Sequence, residues 1–248
     1  MITLLPILVL ILLPLNTHAA RTSDQNLGWP GNTLASNECY GGGQGFGPFD
    51  YTDPETARPG KYGQSPPLHL VEIAHFTPEV EHLVRGKSGA IYGDLDYTLR
   101  AFPNHHRALW SMVRYYLGQI KAVGYETLKK NELTHDGAPP PECYFNRAIV
   151  FAPEDPMVPA IFGIYLHRRG MLDAALASYM KAEKQLRKHA ELAYNMGLLY
   201  VDLGNLEKAR EYAERAQTLG YPLSGLQRKI AQWSSEIQLE GRKKDKPE

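Results

Sequence analysis

Nine histidines are spread along the 248 residues, and the densest polar group is Asn104-His105-His106-Arg107. His69, His75 and His82 recur nearby, with Glu72, Glu79 and Glu81 between them. Zn²⁺ binding would need three or four such side chains to converge. The sequence has no HExxH and no paired CxxC, so it does not demand a metal site. Asn104 and His105 read instead as the cap of a helix that follows Pro103, because Asn is a preferred N-cap. Arg107, close to that helix start, opposes the helix dipole and calls for an acidic partner or a ligand. There is no GxSxG and no pair of carboxylates that can be assigned to a common site. No cofactor is called for.

The only cysteines, Cys39 and Cys143, sit in the same tripeptide, Glu-Cys-Tyr. In an oxidising compartment such a pair tends to bond, which would tie the N-terminal part to a later helix. A bridge closing so long a loop is worth roughly 4–5 kcal/mol in the chain-entropy account. It would also leave no thiol nucleophile. Export is expected from the first residues: the chain is apolar from Met1 to Leu15 and turns small and polar at 16–20. That pattern predicts a signal peptide over 1–20 and a periplasmic or secreted protein. The run is short for a bilayer span and contains Pro6 and Pro14, so no membrane insertion is expected after cleavage. Lys plus Arg and Asp plus Glu balance at 27 each, which argues against general attraction to nucleic acid or anionic lipid.

The elements that would position these residues begin irregularly. Residues 21–93 are expected to form an irregular region packed on helical repeats. The stretch 41–51 is rich in Gly but lacks the Gly-Lys-Ser/Thr of a phosphate loop. Its interleaved Phe46, Phe49 and Tyr51, with Tyr62, suggest an ordered loop whose aromatics pack onto a helical body. The run 68–76 reads as a short extended segment. Thr77-Pro78 then starts a helix that Gly86 stops. Asp94 can cap the next helix, 95–102.

From residue 94 to 223 the chain reads as helix pairs. Gly163, Gly170, Ala175, Tyr179 and Ala182 recur 34 residues later as Gly197, Gly204, Ala209, Ala213 and Ala216. A 34-residue period marks a helix-turn-helix solenoid. Phe145 and Ala148 lie 34 before Tyr179 and Ala182, so the register reaches a helix over 142–151. Its partner, from His106 to about Gly118, presents Leu109, Met112, Val113 and Tyr116 on one face. An insertion at about 118–141, with a helical extension at 118–130, separates the two. Leu226, Ile230, Trp233 and Ile237 predict a capping helix over 224–240, and 241–248 a disordered charged tail.

These residues resemble the tetratricopeptide repeat family: a small residue in the first helix, Gly at the turn, then Ala, an aromatic, Ala and Pro. Residues 156–189 and 190–223 match well, and 106–155 matches once the insertion is removed. Pro159 and Ala193 depart from the large first position, and Ala213 stands where an aromatic is usual. The N-terminal part is similar to that of certain exported bacterial proteins of this family, of unknown role. The resemblance implies a mainly α fold, a short α-solenoid, whose first helices line a concave surface that binds a protein or peptide partner. On that surface it places Arg107, Trp110, Arg114, Ile164, His167, Tyr194, Asn195, Leu198 and Asp202. Asn195 would grip a peptide backbone as donor and acceptor at once. Trp110 and Tyr194 fit either ligand anchors or packing between repeats. Arg107 and Arg114 fit either ligand contacts or a solvated face. The leading expectation is an exported adaptor of a bacterial envelope, not an enzyme. The alternatives are an enzyme or metal-dependent factor using the His-rich N-terminal region, and a structural component of an envelope assembly machine.

Overall fold

A computed structural model describes residues 27–43, 45–134 and 138–244. The expected signal peptide and the last four residues of the expected tail lie outside the described residues. From Pro67 onward the described residues are mainly helical, and the only β pairing among all those described is two isolated bridges, Asn32 to Glu38 and Gly60 to Gly63. A 3-10 turn at Pro54–Ala57 precedes α1 (Pro67–His75), α2 (Pro78–Glu81) and α3 (Ile91–Ala101). Then come α4 (His106–Val123), α5 (Tyr125–Thr134), α6 (Pro141–Phe151), α7 (Met157–Arg168) and α8 (Leu172–Glu183). The chain closes with α9 (Ala190–Asp202), α10 (Leu206–Thr218) and α11 (Gly225–Lys244). No helix among the described residues is long and apolar enough to cross a membrane.

The 34-residue echo has a steric cause at each of its glycines. Gly170 and Gly204 turn α7 into α8 and α9 into α10 with φ of 73° and 76°, which a side chain would strain. Gly163 lets the Tyr179 ring lie against α7; a Cβ there would stand 2.4 Å from Cδ1. Gly197 does the same for a different neighbour: its Cβ would stand 2.4 Å from Cδ2 of Leu226, on α11. The helix α11 therefore seals the last pair, with Leu226 and Ile230 buried against Val201, Ala209 and Ala213. It runs on to Lys244, so the first four residues of the expected tail are helical.

The solenoid starts earlier than the echo. Residues 68–76, read as extended, form α1. The run alternates apolar and polar residues like a strand, but Pro67 at its first turn favours a helix start. Val71 is then buried against Phe49, Ala101 and Phe102. Helix α1 packs on α3 and α3 on α4, so an additional pair precedes α4 and α6. Asp94 is not a cap but a buried residue in the first turn of α3. It accepts N–H bonds from Lys87 (2.6 Å) and Ser88 (3.0 Å) and pairs with His75 at 2.9 Å. Helix α4 continues past Gly118 to Val123, and Gly124, with φ of 84°, separates it from α5. Arg169, at the end of α7, lies 4.2 Å over the Tyr125 ring of α5 and so anchors the insertion.

The N-terminal arm is stitched to the second helices of the pairs. Cys39 and Cys143 are joined, with their Cα atoms 5.3 Å apart. Glu142 accepts from the Leu34 N–H (2.7 Å) and the Tyr165 hydroxyl (2.7 Å). Arg147, 2 % exposed, donates to the carbonyls of Gly28 (2.8 Å) and Leu99 (3.2 Å) and sits over the Trp29 ring. The Gly-rich stretch wraps the end of α3: Phe49 donates its N–H to Ala101, and its ring meets Phe46, Tyr62 and Phe102.

Candidate peptide-binding groove

The first helices of three successive pairs, α4, α7 and α9, border one concavity of about 240 Å³. Trp110 from α4, Met157, Ala160, Ile161 and Ile164 from α7, and Leu192 from α9 make it mainly apolar. His106, Arg107, His189, Glu191 and Asn195 add polar groups, and Tyr179 of α8 reaches it from behind α7. Among the described residues of the N-terminal arm and the Gly-rich stretch, none lines the groove. The volume lies below the roughly 300–1,000 Å³ usual for small-molecule sites, and matches a single large side chain better than a cofactor.

One wall is held by a polar network at the start of α4. The cap of α4 is His105 rather than Asn104: its Nδ1 accepts from the Ala108 N–H at 3.1 Å. Nε2 therefore carries the proton and donates to Glu72 at 3.2 Å. Burial pushes the His105 imidazole below the usual range, while the bond from His105 holds Glu72 low. Asn104, fully buried, gives Nδ2 to Asp50 (2.8 Å) and Asp155 (2.9 Å) and accepts from the Tyr51 N–H (2.9 Å). Asp155 also pairs with His106 at 2.7 Å, and the Tyr51 ring lies 4.2 Å from that of His105. His75 and His82 are engaged elsewhere, with Asp94 and with the Pro78 carbonyl. Among the described residues no three His, Cys, Asp or Glu side chains gather as metal ligands would.

Four of the residues singled out from sequence, Arg107, Trp110, Ile164 and Asn195, line the concavity together. Arg107 faces it already paired, donating to both Glu81 oxygens and to Glu72. The hydrogen bond to Arg107 keeps the Glu81 carboxyl low. Trp110 has the Arg168 guanidinium 5.3 Å from its ring. Asn195 donates Nδ2 to the Glu191 carbonyl at 3.0 Å, which leaves Oδ1 as an acceptor. The remaining residues lie outside the lining. Arg114 donates to the Glu81 carbonyl and to Ser111, fastening α2 to α4. His167 bonds Asp202 at 2.8 Å, and Lys229 pairs with the same carboxylate, joining α7, α9 and α11. Tyr194 packs on Tyr221 at 4.4 Å, and Leu198 packs among the residues that meet α11.

Sequence reasoning missed Met157, Ile161, Leu192, His189, Glu191 and Tyr179. The 34-residue register held a signal for three of them, since Met157 and Glu191 share one position and Ile161 shares another with Asn195. Tyr179 gave none, because it belongs to a second helix and reads as core.

Residues 190–219 match the sequence model of the tetratricopeptide repeat, which spans α9 and α10. Among solved structures, the chain is similar to YrrB, described as a TPR protein with an unusual peptide-binding site. Identity is 20%, covering 65% of this chain and 88% of that one, with a TM-score of 0.33. No curated protein matches the sequence.

Proposed function

We propose that this chain, a tetratricopeptide repeat protein, is an adaptor that holds an extended segment of a partner protein in the groove bordered by α4, α7 and α9. The observation that carries this reading is that three first helices contribute to one mainly apolar concavity with polar groups beside it. Binding sites combine an apolar area with a few placed polar groups in this way. Such repeats generally serve as binding scaffolds, and the role proposed here is positioning, not chemistry. The disulfide and the apolar start of the sequence support work in an oxidising compartment, the periplasm of a bacterial envelope or outside the cell.

Site-specific photo-crosslinking in native envelopes tests this. A crosslinker in place of Ile164 should trap one protein through one short segment, and the same group in place of the exposed Ala177 on α8 should not. Equal trapping at both positions would refute the groove as the site.

A further inference from the structure

Phe145, Tyr179 and Ala213 occupy one register position in three successive second helices, and only the middle one carries a polar atom. Tyr179 is fully buried, and its hydroxyl finds no hydrogen-bond partner among the described residues. Packing does not require that oxygen. Phe145 fills the equivalent place in the core between α6 and α7 as a plain ring, stacked on Phe162 at 4.6 Å. A buried, unpaired hydroxyl is a cost that phenylalanine would avoid. Tyr179 is also the one second-helix residue lining the groove, which puts its side chain beside whatever occupies that space. Gly163 makes that reach possible: the ring passes α7 where any Cβ would block it.

Two further groups lining the concavity have defined hydrogen-bonding roles. His189 caps α9 by accepting from the Leu192 N–H at Nδ1 (3.2 Å), so its Nε2 carries a proton and is a donor. Asn195 offers Oδ1 as an acceptor. Two donors and one acceptor around an apolar space suit a peptide main chain, which presents C=O and N–H groups in alternation. The volume suits one large apolar side chain of that peptide.

We infer that Tyr179 is a specificity-determining residue of the groove: its hydroxyl donates to a main-chain carbonyl of an extended peptide whose apolar side chain occupies the concavity. This rests on the groove being a peptide site. It selects for a carbonyl beside the anchoring side chain and would disfavour a purely apolar occupant, which would leave the hydroxyl unpaired.

The test uses the full, oxidised chain with tyrosine ¹³Cζ labelling. It is titrated with the N-acetyl amides of leucine, methionine, phenylalanine and tryptophan, and with toluene as a probe lacking carbonyls. At least one blocked amino acid should shift the Tyr179 resonance and bind more tightly than toluene. In Tyr179→Phe, affinity for that probe, followed on labelled Trp110, should fall about tenfold, the size of one hydrogen bond. Its melting temperature should stay equal or rise, which separates the effect from damage to the fold. Equal binding to the two chains would overturn the role of the hydroxyl and leave the peptide groove standing. No binding of any blocked amino acid to the unaltered chain would overturn both.

Discussion

The ring of Tyr179 lies against the backbone of Gly163, so close that a Cβ on the glycine would stand 2.4 Å from Cδ1 and 2.5 Å from Cε1. Both residues are buried in the hairpin of α7 and α8, so neither can give way cheaply. Gly163→Ala should therefore destabilise the chain by about 1–3 kcal/mol, although Ala is the better helix former. Combined with Tyr179→Ala, the same substitution should cost far less. Urea denaturation of the two single variants and the double variant checks the coupling, and simple additivity would refute the contact.

The covalent tie between Cys39 and Cys143 spans 104 residues of sequence. Replacing both cysteines by serine should lower stability by roughly 2–5 kcal/mol. Hydrogen exchange should quicken first in residues 27–43, which α6 holds through Glu142 and Arg147. An arm that stays protected without the bridge would show that the polar contacts suffice.

Glu142 is 2 % exposed and serves both the arm and the core, through Leu34 and Tyr165. Glu142→Ala leaves a half-buried N–H and a buried hydroxyl each short of a partner. A loss of about 2–4 kcal/mol is expected, measured by thermal unfolding, with Glu142→Gln milder.

Acid should loosen the wall at the start of α4. The folded-state pKa of His105 is lowered, mainly by burial, so the unfolded chain takes up the proton first. Its contribution is complete above the unfolded value of about 6.5 and is withdrawn as pH falls toward the folded one, by about 1 kcal/mol per pH unit. Glu72, whose folded pKa is also lowered, keeps its contribution above its unfolded value and loses it only as pH falls through the folded one. Unfolding midpoints should therefore fall between pH 7 and 5.5, and His105→Asn, which can still cap α4, should flatten that slope. An unchanged slope in the variant would assign the acid sensitivity elsewhere.

The helix pairs were legible because each repeated glycine answers a local steric demand, at the turns of Gly170 and Gly204 and the close approaches of Gly163 and Gly197. The pairing of Cys39 with Cys143 was legible because no other thiol competes. Helix α1 was not, since nine residues of mixed pattern fit either period until Val71 meets Phe49 and Phe102. The cap of α4 lies one residue later than residue type alone suggests. Asn104 is the better cap by type, but its Oδ1 accepts from the Tyr51 N–H and its Nδ2 is held by Asp50 and Asp155, which leaves the task to His105. The groove was legible in part. Trp110 and Asn195 follow from the register, whereas Tyr194 and Leu198 are turned to packing by Tyr221 and α11, which no period reveals.

The central claim is that the concave face between α4, α7 and α9 takes a peptide. Its most direct test is calorimetric titration of a peptide selected from a displayed random library on the oxidised chain. The account predicts saturable binding to the unaltered protein, weakened about tenfold or more by Trp110→Ala and by Ile164→Glu in chains that keep their fold, as one lost anchor would do. Binding that persists undiminished in both variants would place the peptide on another surface and contradict it.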